Sequence, residues 1–314
     1  MQWALPMPNN QLMIAAAGSG KTTYLINQVL AAPERSILIT TYTEENEAEI
    51  KRKFVTECGC IPKNVTVMTW FSFLIRHGVK PFQDHVLDVD IKGMILVSQQ
   101  SGYRYKFKGR PVYWPKTKPE KYYISPDNKL YSDKISQFVL ECDAASNGNI
   151  IARLKKIFDN IYVDEVQDLA GYDLDLIYEL FKSDINVLLV GDPRQVTYLT
   201  HNSKKYKKYQ QGKIANFVSE IVKKAEVIID TETLNCSHRN SALICKFSSK
   251  LYPGFPASTQ CECKDCHAPA SEFDGIVLVR PADVDCYIDR FSPVQLRWDK
   301  RTKGCTGADI YNFG

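Results

Sequence analysis

Ala15-Ala16-Ala17-Gly18-Ser19-Gly20-Lys21-Thr22 decides the fold of this chain. The apolar run Leu12-Met13-Ile14 leads into it, and Tyr24-Leu25-Ile26 leads out at the start of a helical pattern. Strand, glycine-rich turn and helix, in that order, form the context in which such a turn wraps phosphate. The backbone N–H groups of the turn can surround an anion, and the helix N-terminus adds positive potential. Lys21 is placed to reach β- and γ-phosphates, and the Thr22 hydroxyl to ligate Mg²⁺. Ala15 stands where the usual pattern has glycine, which is acceptable if its φ is negative.

Working outward, strand and helix patterns alternate. Residues 36–41, 65–69, 161–163, 186–190 and 227–229 read as apolar strands. Residues 45–54, 71–77, 133–141, 173–181 and 241–251 read as helices, and 275–280 as a further strand. Near-continuous apolar strands separated by helices predict an α/β fold whose parallel sheet is buried on both faces. Between residues 102 and 126 the composition shifts to Tyr, Lys, Arg, Pro and Gly, which predicts an irregular basic and aromatic insertion.

The bulk composition sets bounds. A length of 314 residues predicts two or three compact units. With 44% hydrophobic and 24% charged residues, the chain has the composition of a soluble globular protein. Its net charge of +4 is compatible with a nucleic-acid partner but does not establish one. No apolar run is long enough to span a membrane, and no basic-then-apolar leader opens the chain. A cytoplasmic protein without a membrane partner is expected, and its ten cysteines then read as thiols rather than disulfides.

Val163-Asp164-Glu165-Val166-Gln167-Asp168 is the second anchor. An apolar strand delivers two adjacent acids to its carboxyl end, where ligands bind in open α/β sheets. Asp164 is placed to hold Mg²⁺ through water, and Glu165 to orient and deprotonate an attacking water. A solvated acidic turn is the plainer alternative. Gly191-Asp192-Pro193-Arg194-Gln195 follows the next strand, and its amide can sense a γ-phosphate. Ser237-His238-Arg239-Asn240-Ser241 places an arginine before a helix, where it can neutralise charge on a transferred phosphoryl group.

These stretches resemble the N-terminal part of UvrD/Rep-like superfamily 1 DNA helicases. In family order they are residues 15–23 (motif I), 41–46 (Ia), 67–73 (Ib), 163–168 (II), 189–198 (III) and 234–241 (IV). The resemblance implies a RecA-like P-loop NTPase domain with a small inserted subdomain and a partial second RecA-like domain. The implied boundaries are 1–77 and 156–235 for the first domain, 78–155 for the insertion, and 236–314 for the beginning of the second. Residues 308–314 resemble the lead-in to motif V, so the expectation is that further chain or a partner completes the motor, or that the chain binds nucleotide without unwinding.

The resemblance also implies roles. Ala17, Gly18, Ser19, Gly20, Lys21, Thr22 and Thr23 would cradle ATP, with Gln11 the amide nearest the place of the adenine-contacting glutamine. Thr22 and Asp164 would hold Mg²⁺, with Glu165, Lys21, Gln195 and Arg239 catalytic. Tyr42 and Tyr198 fall where such helicases stack aromatic rings on single-stranded bases; a core role is the alternative for each. Thr43, Thr69 and Ser72 would touch the DNA backbone. Phe71 stands where the family often has His, and Thr200 where it usually has an aromatic residue.

The implied activity is an ATP-dependent DNA helicase or translocase on single-stranded DNA. The compact insertion is similar to that of helicase-like proteins encoded beside nucleases in anti-phage systems such as Gabija. The alternative activity is therefore an ATP-binding, DNA-sensing regulatory subunit of a partner nuclease. A P-loop kinase fits the acidic motif and the later arginine less well.

Three features lie outside these motifs. Cys261-Glu262-Cys263-Lys264-Asp265-Cys266-His267 offers thiolate and imidazole ligands. The spacing fits zinc poorly, because adjacent Cys266 and His267 rarely bind one ion and no second Cys pair closes a loop; Cys286 or Cys305 could substitute. A loop of ordinary thiols is the favoured reading. Tyr103-Arg104-Tyr105-Lys106-Phe107-Lys108-Gly109-Arg110 alternates rings and cations. As a strand it would present aromatics on one face and cations on the other, for DNA or as a half-buried ribbon. The run 204–209 is a second basic candidate, better read as a solvated loop.

Overall fold

The computed structural model describes residues 10–196, 200, 205–263, 266, 276–293, 295–297 and 310–312. The chain divides into two units, 1–268 and 269–314. In the first, β1 (Asn10–Ile14) and α1 (Lys21–Leu30) flank the glycine-rich turn. β2 (Ile37–Thr41), α2 (Glu44–Cys58) and β3 (Val65–Thr69) follow. α3 (Trp70–Phe73) runs directly into a π-helical stretch, Leu74–Val79.

The insertion carries β4 (Gly93–Ile95), the β5 (Tyr103–Phe107)–β6 (Arg110–Tyr113) hairpin, α4 (Pro119–Tyr123), and β7 (Lys129–Tyr131), which pairs with β4. Then come α5 (Ile135–Ala145), α6 (Asn149–Ile157), β8 (Asn160–Val163), α7 (Tyr172–Phe181) and β9 (Asn186–Gly191). α8 (Ile214–Ile221) and β10 (Val227–Asp230) complete the sheet layer.

Six strands form one parallel sheet in the order β10-β1-β9-β8-β2-β3. Alternation along each strand sends side chains to opposite faces. Leu12 and Ile14 of β1 join a core with Trp70, Phe73, Phe138 and Leu176, whereas Met13 joins the other face with Leu25, Ile26 and Phe54. Both faces are therefore covered, as the apolar strand runs predict. Burying one large aliphatic side chain contributes about 1.5–3 kcal/mol, so these two layers dominate the stability of the unit.

Local chemistry sets the helix ends. Thr43 accepts a hydrogen bond from Asn46 N at 3.1 Å, and Glu44, Glu45 and Glu47 fill the positive first turn of α2. Gly59, at φ 77°, ends that helix in the left-handed conformation that favours glycine. Asp173 is fully buried and ties three helices together. It accepts Trp70 Nε1 of α3 at 2.9 Å and the Ser136 hydroxyl of α5. The Thr200 hydroxyl also reaches Asp173 while accepting Ala170 N at 3.0 Å. Thr200 is thus a buried hydrogen-bonding residue, not a ring exposed for stacking.

Beyond the sheet, β11 (Cys236–Ser237) pairs in parallel with β12 (Thr259–Gln260), and α9 (Ala242–Leu251) lies between them in sequence. Residues 236–268 belong to the first unit. In the second unit, α10 (Val284–Phe291) precedes a parallel pair, β13 (Gln295–Arg297) and β14 (Ile310–Asn312). The strand expected at 275–280 is not formed by residues 276–280: Leu278 is 91% exposed, and an apolar run without a neighbouring strand has no ladder to join. Among the described residues, no helix is long and apolar enough to cross a membrane.

Candidate functional site

The site sits at the carboxyl ends of β1, β8 and β9, the edge at which open α/β sheets bind ligands. Ala15 N donates to Gly191 O at 2.9 Å, which ties the end of β1 to the end of β9. Ala15 keeps a negative φ, so its Cβ costs nothing there. Gly18 and Gly20 have φ of 72° and 83°. A Cβ on Gly18 would lie 2.5 Å from Arg239 Cβ, so only glycine lets residues 237–239 pass this close.

That second segment holds the turn by its carbonyls. Ser237 Oγ donates to Ala17 O at 2.7 Å, and His238 N donates to Gly18 O at 2.8 Å. Ala16 N donates in turn to Leu234 O at 2.6 Å. The Ser237 hydroxyl also accepts Arg239 N and Asn240 N, at 3.3 and 3.0 Å. One buried oxygen therefore sets the register of the arginine against the turn.

Gly18, Gly20, Lys21, Thr22, Thr23, Asp164, Glu165, Gln195 and Arg239 line one cavity of about 730 Å³. Lys21 Nζ lies 3.7 Å from Glu165 Oε1. Glu165 has a left-handed backbone, φ 54° and ψ 42°, which a glutamate adopts only where its surroundings enforce it. Gln167 supplies that restraint: its Nε2 donates to Glu165 Oε2 at 2.7 Å, and its Oε1 accepts Asp192 N at 3.1 Å. Gly191 leaves room beside it, since a Cβ there would meet Gln167 Oε1 at 2.3 Å and displace that amide.

Asp164 is buried at the end of β8, where Asp164 N donates to Thr40 O at 2.8 Å. Burial first, and then the adjacent Glu165 carboxylate, push its carboxyl up to about 7. A bound cation would reverse that balance. The donor chemistry fits the implied Mg²⁺ and phosphate: a hydroxyl at Thr22 and a buried carboxylate at Asp164 suit a hard cation. Ser19 Oγ, buried and without a hydrogen-bond partner among the described residues, is an acceptor or donor that a phosphate oxygen would satisfy.

The sequence signal did not announce Arg194. Its guanidinium bonds Asp192 Oδ1 at 2.8 Å and Ala15 O at 2.8 Å, buried at the base of the turn. The Gly-Asp-Pro-Arg-Gln stretch drew attention only to its amide. Gln167 and Ser237 belong to stretches that the sequence marks, but their contacts with Glu165, Asp192 and Ala17 arise only from the fold.

Other expected positions lie elsewhere. Gln11 sits within β1 between Leu188 and Ile228, outside the cavity lining; Tyr24 and Asn27 of α1 and Thr233 line it instead. Ala17 meets the site through its carbonyl. Tyr42, Thr43, Thr69 and Ser72 gather past the ends of β2 and β3, a separate place on the same sheet edge. There Tyr42 is half-buried with its ring 6.0 Å from Phe71. Thr43 caps α2, and Thr69 accepts Ser72 N at 3.2 Å to cap α3. Tyr198 lies outside the described residues. Cys261, Cys263 and Cys266 gather around His238, whereas His267 and Cys305 also lie outside the described residues.

The sequence profile described as an AAA domain matches residues 4–201. That span contains the glycine-rich turn, both acids and Gln195, and ends before Ser237 and Arg239. No curated protein matches the chain.

Proposed function

Because the chain belongs to the AAA-domain family, a P-loop NTPase family of the helicase type, we propose that it is an ATP-dependent DNA translocase of the UvrD/Rep class. It would couple ATP hydrolysis to movement on single-stranded DNA. The observation that carries this reading is the meeting of Lys21, Asp164, Glu165, Gln195 and Arg239 around one cavity, with Lys21 and Glu165 3.7 Å apart.

Each residue has a task in this reading. The turn's N–H groups and Lys21 bind and orient the triphosphate. Glu165, aimed by Gln167, takes a proton from the attacking water. Arg239 offsets charge that develops on the phosphoryl group, and Gln195 responds to its loss. Mg²⁺ held by Thr22 and Asp164 would supply charge neutralisation to the phosphates. Triphosphate binding competes with Glu165 for Lys21, so that occupancy of the site frees the carboxylate to act as a base.

The test is steady-state ATP hydrolysis with and without single-stranded DNA, beside Glu165→Gln, followed by a strand-separation assay. DNA-stimulated turnover that falls by about 10²-fold or more in the variant, with nucleotide still bound, is the expected result. Turnover that DNA stimulates without strand separation or translocation would move the reading to a DNA-sensing regulatory subunit of a nuclease. Absence of nucleotide binding would overturn both.

A further inference from the structure

One cluster of ligating side chains stands beside the phosphate turn without a part in the proposed hydrolysis. Parallel pairing of β11 with β12 aligns Ser237 with Gln260 and continues through Cys261 N, which donates to Ser237 O at 2.9 Å. The next residues on the two strands, His238 and Cys261, therefore emerge side by side. Cys263 and Cys266 turn back onto them, and the ligand atoms of all four residues lie within 4.8 Å of one another.

The individual separations match a metal shell. Four ligands at about 2.3 Å around a tetrahedral ion stand roughly 3.7 Å from each other. Cys261 Sγ–Cys263 Sγ is 3.4 Å, Cys263 Sγ–His238 Nδ1 is 3.8 Å, and Cys266 Sγ–His238 Nδ1 is 3.4 Å. Cys263 Sγ–Cys266 Sγ, at 2.6 Å, is the edge that must open, by about 1 Å, to admit the ion. The sequence spacing disfavoured zinc because it offered His267, the immediate neighbour of Cys266, as the fourth ligand. The fold supplies His238 from a distant segment instead, and Cys263-x-x-Cys266 keeps a spacing common in zinc sites.

From this geometry we infer that Cys261, Cys263, Cys266 and His238 form a structural zinc site that clamps the three cysteines to the strap carrying Arg239. Thiolate and imidazole donors in a tetrahedral set select zinc over hard cations. Binding releases the thiol protons and leaves His238 neutral, with Nδ1 on the metal and the ring proton on Nε2. The Cδ2 side of that ring faces the turn, 3.9 Å from where a Cβ on Gly20 would sit. His238 N also holds Gly18 O at 2.8 Å. The metal thus braces one residue that touches the phosphate turn and whose neighbour is the catalytic arginine. Cys266 itself lines the nucleotide cavity.

The test is zinc content of the full chain purified without chelator, by elemental analysis and native mass spectrometry, with cobalt(II) substitution as a spectroscopic check. About one zinc per chain is expected, and cobalt should give the intense visible and thiolate charge-transfer bands of a tetrahedral sulfur-rich site. His238→Ala and Cys263→Ser should each weaken zinc retention against a competing chelator by about tenfold or more. His238→Cys should restore retention, because an all-cysteine shell is also a zinc shell. This rescue separates ligation from a folding defect, which far-ultraviolet circular dichroism of each variant checks. A chain without zinc whose intact mass is lighter by two hydrogens, with Cys263 joined to Cys266, would overturn the site in favour of a disulfide. Zinc retained equally by His238→Ala and wild type would overturn the assignment of His238.

Discussion

Glu165, the base in the proposed reaction, sits in a backbone conformation that a glutamate disfavours, and the Gln167 amide is one of the groups that hold its carboxylate in place. Gln167 spans from Glu165 Oε2 at 2.7 Å to Asp192 N at 3.1 Å, so it fixes the carboxylate against β9. Gln167→Ala should lower kcat by about tenfold or more while KM for ATP changes little, because a misaimed base is felt only in the transition state. Steady-state kinetics of the two variables checks it; a change confined to KM would assign Gln167 to binding instead. Gly18 makes a sharper claim. Alanine there meets both a φ of 72° and a contact of 2.5 Å with Arg239 Cβ. Gly18→Ala should cost about 1–3 kcal/mol in the folded state and reduce nucleotide affinity, read by chemical denaturation and by titration with ATP. Normal affinity in that variant would show that the strap moves away from the turn.

At the scale of elements, the π-helical stretch after α3 carries a buried titratable group. His77 packs against Phe73 and Phe158, and its Nδ1 lies 3.1 Å from Arg153 Nη1. Burial first, then Arg153 and Arg76, lower its pKa from 6.5 to about 4. The unfolded chain therefore binds a proton between these values that the folded chain refuses. Stability is fully present above pH about 6.5 and is lost as pH falls towards 4. Denaturant midpoints measured across that window should fall with acid, and His77→Gln should flatten this component; an unchanged slope in the variant would place the acid sensitivity elsewhere. On the proposed reading, the exposed rings and cations of the β5–β6 hairpin make it a candidate contact for single strands. Tyr103 and Phe107 are 57% and 59% exposed, and the Arg104 guanidinium lies 4.4 Å from the Trp114 ring. The half-buried ribbon weighed from sequence is thus not what β5 forms, since all five of its residues are exposed. Replacing Arg104 and Lys106 with Ala should reduce the salt slope of DNA binding by about 1–2, and Phe107→Ala should cost about 1–3 kcal/mol. Fluorescence anisotropy with a labelled oligonucleotide at several salt concentrations decides it, and unaltered binding would remove the hairpin from the DNA path. The strands of the main sheet were legible because each is a compact apolar run such as Ile37–Thr41 or Asn186–Gly191. α6 and α8 were missed although Ile150 and Leu154, and Ile214, Phe217 and Val218, repeat at helical spacing. The phosphate turn and its acids were readable as local words. The partnership of Cys261 with His238 was not, because strand pairing creates it.

Across the whole molecule, the nucleotide site is assembled from segments that begin at Ala15 and end at Arg239, joined through the sheet and through hydrogen bonds onto the glycine-rich turn. β1 meets β9 through Ala15 N and Gly191 O, Arg194 bonds Ala15 O, and residues 234–238 close over the turn from the far side of β10 in sequence. None of these segments holds its geometry without the others, so a ligand that binds the assembled site stabilises the first unit as one body. At a concentration one hundred times Kd, such a ligand adds about 2.7 kcal/mol. For a unit of this size that is a rise of several degrees in Tm. Scanning calorimetry with Mg-ADP should show that rise in the wild-type chain and not in Lys21→Ala, whose loss removes the phosphate contact without touching the sheet. Arg194→Ala should lower Tm even without nucleotide, because it leaves the Asp192 carboxylate buried and unpaired by its guanidinium, a loss of about 3–5 kcal/mol. If the nucleotide shift survived in Lys21→Ala, the ligand would be held elsewhere. If Arg194→Ala left Tm unchanged, the bonds from Arg194 to Asp192 and Ala15 O would carry no stability, and their part in the cooperative assembly would be wrong.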